Sequence, residues 1–573
     1  MTYRAPLDDI RAALAALGAG RLAETEKFAE ATPDMAEAIL AEAARLAETV
    51  LAPLQRVGDL HPARLENGVV RAPPGFAVAY AALCEGGWVG MAADPAHGGM
   101  GLPLTLATAV SEMLNSACLA LALNALLTQG QIEALEAHAS DDLKALYLPN
   151  LISGRWTGTM NLTEPQAGSD VGALRTMARP NEDGSFAVTG QKIFISWGDH
   201  DMAENICHLV LARLPDAAPG TRGISLFLVP KFLPDAAGRP GPANRLRPIS
   251  LEHKMGLHGS PTAVMEYDGA RGWLIGPPQG GMAAMFTMMN NARLGVGVEG
   301  LAIAEAASQK ALAFAAERRQ GRSPVEGGTG AIIDHADVRR MLLTMRAMTA
   351  TARALCLDCA LSLDMARAAA PAERDAWAAR GALLTPIAKA FATDAGAEVA
   401  SLGIQVHGGM GYVEETGAAQ FYRDVRVTAI YEGTNGIQAM DLVGRKLADG
   451  GAAIRALLAE IAAGAASARA AEPDLAEALE AARAELTAAT DWMLAADLND
   501  RYAGAAPYLR ALALLLGGHY LLAQALRQPG SPRPLALARF QIRQVLPQAA
   551  ALCRAAIEGA APLYALDAEA LAS

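Results

Sequence analysis

Residues 431–438, Tyr-Glu-Gly-Thr-Asn-Gly-Ile-Gln, contain side chains that could transfer a proton beside a bound ligand. The run places one carboxylate, Glu432, next to Gly433. Glycine lets the backbone approach a ligand closely because it has no Cβ atom. A carboxylate in an apolar neighbourhood becomes a stronger base, because loss of water raises its pKa. Taken alone, the run is more typical of a solvent-facing turn, so the proton-transfer interpretation depends on other segments with matching chemistry.

Residues 161–171, Asn-Leu-Thr-Glu-Pro-Gln-Ala-Gly-Ser-Asp-Val, form a second candidate segment. The hydroxyls of Thr163 and Ser169 and the bare backbone at Gly168 offer donors that suit a phosphate or the polar edge of a ring. Residues 192–198 place aromatic rings around a serine hydroxyl, which would suit a wall against a planar cofactor. An ordinary polar loop and an ordinary packed strand explain these two segments equally well when each is taken alone.

Two further segments contain groups suited to a dinucleotide. Residues 316–322 end a helical pattern with three arginines, whose planar forks can bind a pyrophosphate through paired hydrogen bonds. Cations are favoured at a helix C-terminus in any case, so a structural role is the simpler interpretation. Residues 405–412, Gln-Val-His-Gly-Gly-Met-Gly-Tyr, have the glycine spacing of a loop that can wrap a dinucleotide. They follow a helical pattern, unlike the fingerprint of a Rossmann unit.

Composition excludes several classes of protein. The 573 residues exceed a single hydrophobic core, and 52% hydrophobic with 19% charged residues describe a compact globular protein. A formal net charge of −12 disfavours nucleic acid as a partner. The six cysteines are scattered as in a reducing cytosol, and the first residues do not have the pattern expected of a secretion signal. We therefore expect a cytoplasmic protein with no metal site and no membrane span, since even the apolar run 511–526 is interrupted by two glycines and a histidine.

The periodicity of the apolar residues predicts an α+β multidomain fold. Residues 1–157 are expected to form an N-terminal helical domain, and 158–276 a central β domain that resembles a barrel. Residues 277–447 are expected to form a four-helix-bundle domain that carries the 431–438 loop. Residues 448–573 are expected to form an additional C-terminal helical domain.

Six motifs, taken together and in order, resemble those of the acyl-CoA dehydrogenase family. They are Thr-Glu-Pro-x-Ala-Gly-Ser-Asp (163–170), Lys-x-Phe-Ile-Ser (192–196), Glu-x-Lys-Met-Gly (252–256), Glu-Arg-x-Gln-Gly (317–321), the run 405–412 and Tyr-Glu-Gly-Thr-Asn (431–435). The resemblance covers roughly residues 36–446. It implies FAD held noncovalently in a helix–barrel–helix subunit, an acyl-CoA substrate, and electron-transfer flavoprotein as the acceptor.

The resemblance also implies a role for each motif residue. Glu432 corresponds to the catalytic base. The residues that correspond to flavin contacts are Leu162, Thr163, Gly168, Ser169, Phe194, Ser196, Thr434 and Gln438. Those that correspond to groups reaching the FAD of a neighbouring subunit are Arg318, Gln405, Gly408 and Gly409. Those that correspond to substrate contacts are Ser169, Asn290, Arg293, Tyr431 and Gly433.

Two departures from the shorter family members resemble a longer bacterial branch. Residues 323–330 form an insert, and the chain continues past residue 446 for a further helical domain. This branch includes a member that acts on 3-methylmercaptopropionyl-CoA, which would place the protein in dimethylsulfoniopropionate degradation. The resemblance implies a homodimer, because the extra helices occupy the surface that short members use for tetramer assembly.

The reaction that the resemblance implies is α,β-dehydrogenation of an acyl-CoA thioester to the trans-2-enoyl-CoA. Glu432 would remove the α-proton while a hydride leaves the β-carbon for the flavin. One alternative is an acyl-CoA oxidase, which reoxidises the flavin with oxygen. The other is a DNA-associated alkylation-response flavoprotein on the same scaffold, supported by seven arginines in 501–554. We expect those arginines to pair with acidic residues instead. Four methionines suit either an acyl pocket or core packing: Met282, Met285, Met288 and Met289.

Overall fold

Helices dominate the N-terminal part of the chain. The computed structural model describes residues 3–323 and 325–573, apart from the side chain of Asn290. The helices here are α1 (Leu7–Leu17), α2 (Pro33–Leu46), α3 (Leu54–Leu60), α4 (Phe76–Glu85), α5 (Leu104–His138) and α6 (Asp141–Ile152). A short hairpin of β1 (Arg64–Glu66) and β2 (Val69–Arg71) interrupts them. The sequence pattern of this region did not predict the hairpin, because it is dominated by helical periodicity. Asn67 and Gly68 both have positive φ, and they are the residue types that a tight hairpin turn requires.

A closed sheet forms the central part. Its strands are β3 (Trp156–Asn161), β4 (Met177–Pro180), β5 (Phe186–Ser196), β6 (Asn205–Arg213), β7 (Ile224–Pro230), β10 (Leu246–Leu251) and β11 (Thr262–Ile275), and a separate hairpin contains β8 (Phe232–Pro234) and β9 (Pro240–Ala243). The strands close in the order β11–β5–β4–β6–β7 and back to β11. β3 joins β6 in parallel at one side, and β10 pairs with β11. The sheet therefore has no free edge within this ring, which confirms the predicted barrel-like β domain.

Long helices follow the barrel and carry the loop of interest. They are α7 (Gly281–Glu317), α8 (Ala336–Ala368) and α9 (Pro371–His407), followed by the short α10 (Ala418–Val425) and α11 (Asn435–Asp441). α7 packs along α9 through glycines, because a Cβ on Gly300 would lie 2.5 Å from the Ala392 carbonyl oxygen. A Cβ on Gly396 would lie 2.6 Å from the Gly300 oxygen, so both helices approach backbone to backbone.

Further helices form the C-terminal extension. They are α12 (Ala452–Ala468), α13 (Pro473–Ala495), α14 (Leu498–Arg527), α15 (Pro532–Phe540), α16 (Gln548–Ala556) and α17 (Ala568–Ala572). A proline commonly breaks a helix, and the sequence predicts a break at Pro507, but this prediction was wrong. α14 runs through Pro507 because its remaining turns are anchored by an apolar stripe buried against α8 and α16.

The large core joins the N-terminal helices, the bundle and the extension. Two helices, α5 and α14, are long and apolar enough to cross a membrane by length and composition, although 89% and 72% of their most apolar stretches are buried in the protein. Met285 and Met288 are fully buried in a second core between α7 and the sheet, which favours core packing over an acyl pocket for these two side chains.

Candidate active site

The Glu432 loop has an unusual backbone conformation. Glu432 has a φ of 55° and Gly433 a φ of 85°, so two consecutive residues are left-handed. A glutamate is uncommon in this region, and such strain persists only where the surrounding structure imposes it. The Thr434 side chain then caps α11 by accepting a hydrogen bond from the Ile437 amide at 3.3 Å. Glu432 thus lies two residues before the cap of α11.

Buried side chains of α7 and α9 hold this loop in place. Lys389 of α9 donates to the Gly433 carbonyl oxygen at 2.9 Å and to Asn435 Oδ1 at 3.0 Å. The Tyr431 hydroxyl donates to Glu299 of α7. Lys389 and Glu299 are fully buried, so the loop is fixed from both sides of Glu432 by charged or polar groups that solvent does not reach.

The electrostatic surroundings make Glu432 a base suited to neutral pH. Burial raises the pKa of Glu432 to about 7, although the nearby cations Arg293 and Lys389 oppose the rise. Burial likewise lowers the pKa of Lys389 to about 8, and the neighbouring carboxylates, Glu432 first, oppose that fall. A general base is most effective when its pKa lies near the working pH.

Several buried polar atoms around Glu432 have no hydrogen-bond partner within the described part of the chain. They are Arg293 Nε, Glu299 Oε1, Gln438 Oε1 and both carboxylate oxygens of Asp441. Asp441 forms ion pairs with Arg293 at 3.5 Å and with Arg445 at 3.3 Å, both without good hydrogen-bond geometry. Buried polar groups are rarely left unpaired, so this cluster is arranged to meet a ligand or water.

A buried ion pair shapes the loop after β3. Lys192 Nζ donates to the Leu162 carbonyl oxygen at 2.9 Å and to Glu164 Oε1 at 2.8 Å. Burial alone would raise the pKa of Glu164, but Lys192 and hydrogen bonds lower it to about 2. Thr163 is joined to β5 through its carbonyl oxygen, which accepts from the Ile193 amide at 2.9 Å. Gly168 and Ser169 are exposed at the tip of this loop, free to contact a ligand.

A β-bulge turns Phe194 outward. The register of β5 against β11 shifts between Lys192 and Ile195, which leaves an extra residue in β5. Phe194 lies in this bulge with a φ of 61°, and 59% of its surface is exposed. Bulges near active sites commonly redirect a side chain. An exposed aromatic ring on strained backbone, with the half-buried Ser196 two residues later, suits the predicted wall of a planar cofactor.

Arg318 and the glycine-rich loop meet at one end of the bundle. Arg318 follows the last turn of α7, and Gln405 lies in the last turn of α9. The ends of these helices are joined by the stacked rings of Phe314 and His407, whose centroids are 4.4 Å apart. His407 is buried and hydrogen-bonded to the Gly403 carbonyl oxygen at 2.6 Å, as expected of a structural histidine. Arg318, Gln405, Gly408 and Gly409 are exposed.

The structure brings Arg293, Tyr431, Gly433, Gln438 and Glu432 together. The loop after β3 and the Phe194 bulge belong to the barrel, and Arg318 with residues 405–409 forms a separate exposed surface. The side chain of Asn290 lies outside the described residues, so its predicted role stays a prediction. The remaining site roles also stay predictions.

The sequence motifs assign no role to three supporting residues: Glu299, Lys389 and Glu164. Their contacts are with residues 28 to 132 positions away along the chain. The sequence contains a signal that could have identified two of them. Glu299 and Lys389 are single ionisable residues within apolar stretches of long helices. Such residues are seldom fully buried unless they are paired.

Comparison with known families identifies the chain. Sequence profiles match it in four successive parts: the acyl-CoA dehydrogenase N-terminal domain (33–155), middle domain (159–270) and C-terminal domain (279–447), and an acetyl-CoA dehydrogenase C-terminal-like domain (457–567). The chain therefore belongs to the acyl-CoA dehydrogenase family of FAD-dependent oxidoreductases. FAD is the cofactor that this membership implies.

Individual relatives extend over most of the chain. It is 48% identical to 3-methylmercaptopropionyl-CoA dehydrogenase of Ruegeria pomeroyi, over 92% of this chain and 91% of the relative. It is 34% identical to the broad-specificity linear acyl-CoA dehydrogenase FadE5 of Mycobacterium tuberculosis, over 89% and 87%. Among solved structures, Caenorhabditis elegans ACDH-11 in complex with C11-CoA has a TM-score of 0.78 at 21% identity, over 95% and 91%, and it supports the fold alone.

Proposed function

We propose that this chain dehydrogenates an acyl-CoA thioester between its α- and β-carbons, with Glu432 as the base that removes the α-proton. The observation that carries the proposal is the combination at Glu432 of strained, left-handed backbone and a pKa raised to about 7 by burial. An acyl chain that displaces water from the loop would raise this basicity further. Glu432 is half-buried, so a substrate can still reach its carboxyl group.

The thioester carbonyl needs hydrogen-bond donors, because negative charge develops on its oxygen as the α-proton leaves. The backbone N–H of Glu432 donates to no acceptor within the described residues. Lys389 fixes the next carbonyl, that of Gly433, and so fixes the orientation of the peptide chain here. We assign the Glu432 N–H to the thioester oxygen, beside the carboxylate that takes the proton.

The chain has groups that fit FAD. Those of the barrel and the catalytic loop are Leu162, Thr163, Gly168, Ser169, Phe194, Ser196, Thr434 and Gln438. The exposed Phe194 ring and the unpaired amide oxygen of the buried Gln438 side chain support this assignment. When bound, FAD supplies an acceptor for the hydride that leaves the β-carbon. The remaining groups would contact the FAD of a second subunit; they are Arg318, Gln405, Gly408 and Gly409.

The exposed surface around Arg318 supports a homodimer. Met410, Tyr412 and Val413 follow the glycine-rich loop, and 46%, 88% and 40% of their surfaces are exposed. Apolar side chains grouped in this way commonly mark an interface. We propose electron-transfer flavoprotein as the acceptor, on the family resemblance, and a cytoplasmic location, in keeping with six free cysteines.

For the substrate we propose a short- or medium-chain acyl-CoA, with 3-methylmercaptopropionyl-CoA as the first candidate. This rests on the 48% identity to a relative named for that substrate. Arg293, Tyr431 and Gly433 lie beside Glu432 and are the substrate contacts that we propose in this part of the site; Ser169 would contribute from the barrel loop and Asn290 from α7.

Ion pairs within the chain remove part of the support for the DNA-associated alternative. Among the arginines of 501–554, Arg510 pairs with Glu398, Arg533 with Asp9, and Arg539 with Glu472. A basic surface for DNA requires unpaired cations. The acyl-CoA oxidase alternative differs only in how the flavin is reoxidised, so peroxide release in air against electron transfer to a dye separates the two.

The direct test is anaerobic mixing of the purified yellow protein with a panel of acyl-CoAs. The panel includes 3-methylmercaptopropionyl-CoA, butyryl-CoA and octanoyl-CoA. Loss of the flavin absorbance with at least one of them, together with formation of the enoyl-CoA, is expected. A protein that takes up FAD but is reduced by none of them would contradict the proposed function.

A further inference from the structure

A second glutamate lies behind the catalytic loop. Glu299 is fully buried in α7, between Val298 and Gly300. One of its carboxyl oxygens, Oε2, accepts from the Tyr431 hydroxyl, and the other has no partner within the described residues. Tyr431 directly precedes Glu432 in the chain. The two glutamates are therefore coupled through one tyrosine side chain and one peptide bond.

The cation that acts on Glu299 is shared with other carboxyl groups. Lys389 acts on Glu299, and it acts on Glu432 and Asp394 as well. Arg293 acts on Glu432. If both glutamates were ionised, both would therefore depend on Lys389. That arrangement is costly, because an ionised carboxylate without a partner of its own is strongly disfavoured away from water.

Within the described residues, the titratable groups that act on Glu299 come from the catalytic loop and from α9. Tyr431 and Glu432 face it from the loop, and Lys389 faces it from α9. Burial raises the pKa of Glu299 to about 8, the Tyr431 hydrogen bond opposes this, Glu432 adds to it, and Lys389 opposes it. Oε1 is also better explained as part of a neutral carboxyl group, since an unpaired neutral oxygen costs far less than an unpaired charged one.

We propose that Glu299 is a positioning residue that stays protonated, holds Tyr431 and thereby Glu432 in place, and leaves Glu432 as the ionised member of the two glutamates. This inference rests on the proposed function, because it names how that base is kept ionised. At high pH Glu299 loses its proton. The site then contains two adjacent carboxylates, which disfavours the negative charge that develops on the thioester oxygen, and turnover falls.

The test is the pH profile of kcat for the holoenzyme and for Glu299→Gln, which keeps the shape and an acceptor oxygen but cannot ionise. For Glu299→Gln we expect kcat near pH 7 within about threefold of the parent enzyme, and no fall in kcat above about pH 8. A variant that keeps the fall at high pH would overturn the proposal. So would a variant that retains FAD but is inactive at every pH.

Two further variants separate charge from shape. Tyr431→Phe removes the hydrogen bond that lowers the pKa of Glu299, so the fall at high pH should move to higher pH. Glu398→Gln changes a carboxylate of α9 that is 44% exposed and pairs with Arg510, and its profile should match that of the parent enzyme. An unchanged high-pH limb in Tyr431→Phe would count against the coupling.

The thermal stability of the holoenzyme gives a readout that does not depend on turnover. A carboxyl group whose pKa is raised from 4.5 to about 8 on folding destabilises the protein progressively as pH rises through that interval. The melting temperature of Glu299→Gln minus that of the parent enzyme should therefore increase as the pH is raised from 5 to 8. If the enzyme is active but Glu299→Gln shows no such rise in relative melting temperature, the inference about Glu299 is refuted and the proposed function is not. A protein inactive on every acyl-CoA refutes the proposed function, and the melting comparison then still decides the charge state of Glu299.

Discussion

Lys389 is the residue that ties the catalytic loop to the helical bundle. Its ammonium group bonds to the Gly433 carbonyl oxygen and to Asn435, and it lowers the pKa of Glu432. Lys389→Met keeps the apolar stem and removes the charge. We expect a loss of about 2 to 4 kcal/mol in the free energy of unfolding, because the buried partners remain without a donor.

The same variant should also change the pH profile. Without the nearby cation, the pKa of Glu432 rises. The low-pH limb of the kcat/KM profile should therefore move to higher pH, by about one pH unit or more. Chemical denaturation and the pH profile check the two parts separately. A variant with normal stability and an unmoved limb would show that Lys389 neither holds the loop nor acts on Glu432.

At the residue scale, the sequence predicted the candidate base but not its supports. Glu432 was identified because it lies in a short run whose residue types are informative together. Lys389 and Glu299 act on it from separate helices, and no local spacing links them to the loop. Phe194 was predicted as a wall, but its left-handed backbone follows from a strand register that the sequence does not reveal.

At the element scale, the packing of α7 on α9 sets the distance between Glu299 and Lys389. A Cβ at Gly300 would lie 2.5 Å from the Ala392 oxygen and 2.6 Å from Thr393 Cα. These are backbone atoms of α9, so Gly300→Ala must push the helices apart. We expect a loss of about 1 to 3 kcal/mol in the free energy of unfolding and a reduced kcat, because Lys389 moves with α9.

Gly20→Ala is the matched control. A Cβ at Gly20 would have no neighbour within 4 Å, and its backbone has no positive φ. Its stability and kcat should match those of the parent enzyme. If Gly300→Ala behaves like Gly20→Ala in denaturation and in kcat, the glycine contact does not set the helix spacing.

Element types were largely predictable, whereas element ends were not. The periods of 3.6 and 2 distinguished the helical parts from the barrel. α9 continues through Pro386 as far as His407, and α14 continues through Pro507, because tertiary burial outweighs a missing hydrogen bond in a long helix. Closure of the barrel depends on pairing between distant strands, which the sequence pattern could only suggest.

At the scale of the whole molecule, a buried polar network docks the C-terminal extension on the bundle. The Tyr520 hydroxyl of α14 donates to Asp358 of α8 at 2.5 Å, and Arg380 of α9 donates to the same carboxylate at 2.7 Å. Arg380 also pairs with Glu460 of α12 at 2.6 Å. Burial alone would raise the pKa of Glu460, but His519 and Arg380 lower it to about 2.

Tyr520→Phe should weaken this docking by about 1 to 3 kcal/mol, because Asp358 loses a buried donor. The measurement is the free energy of unfolding, with FAD content as a check on the active site. Tyr564→Phe is the control, since 70% of Tyr564 is exposed and it should be neutral. Equal stability of the two variants would mean that the Tyr520 contact does not contribute to docking.

The most direct test of the account is the rate of flavin bleaching in Glu432→Gln. The variant should fold, bind FAD and bind acyl-CoA, because glutamine keeps the shape of the side chain. Without a base for the α-proton, anaerobic bleaching after rapid mixing with a good acyl-CoA substrate should slow by about a thousandfold or more, whereas Glu415→Gln, at an exposed site, should bleach at the parental rate. Bleaching of Glu432→Gln within about tenfold of the parental rate would contradict the assignment of the base.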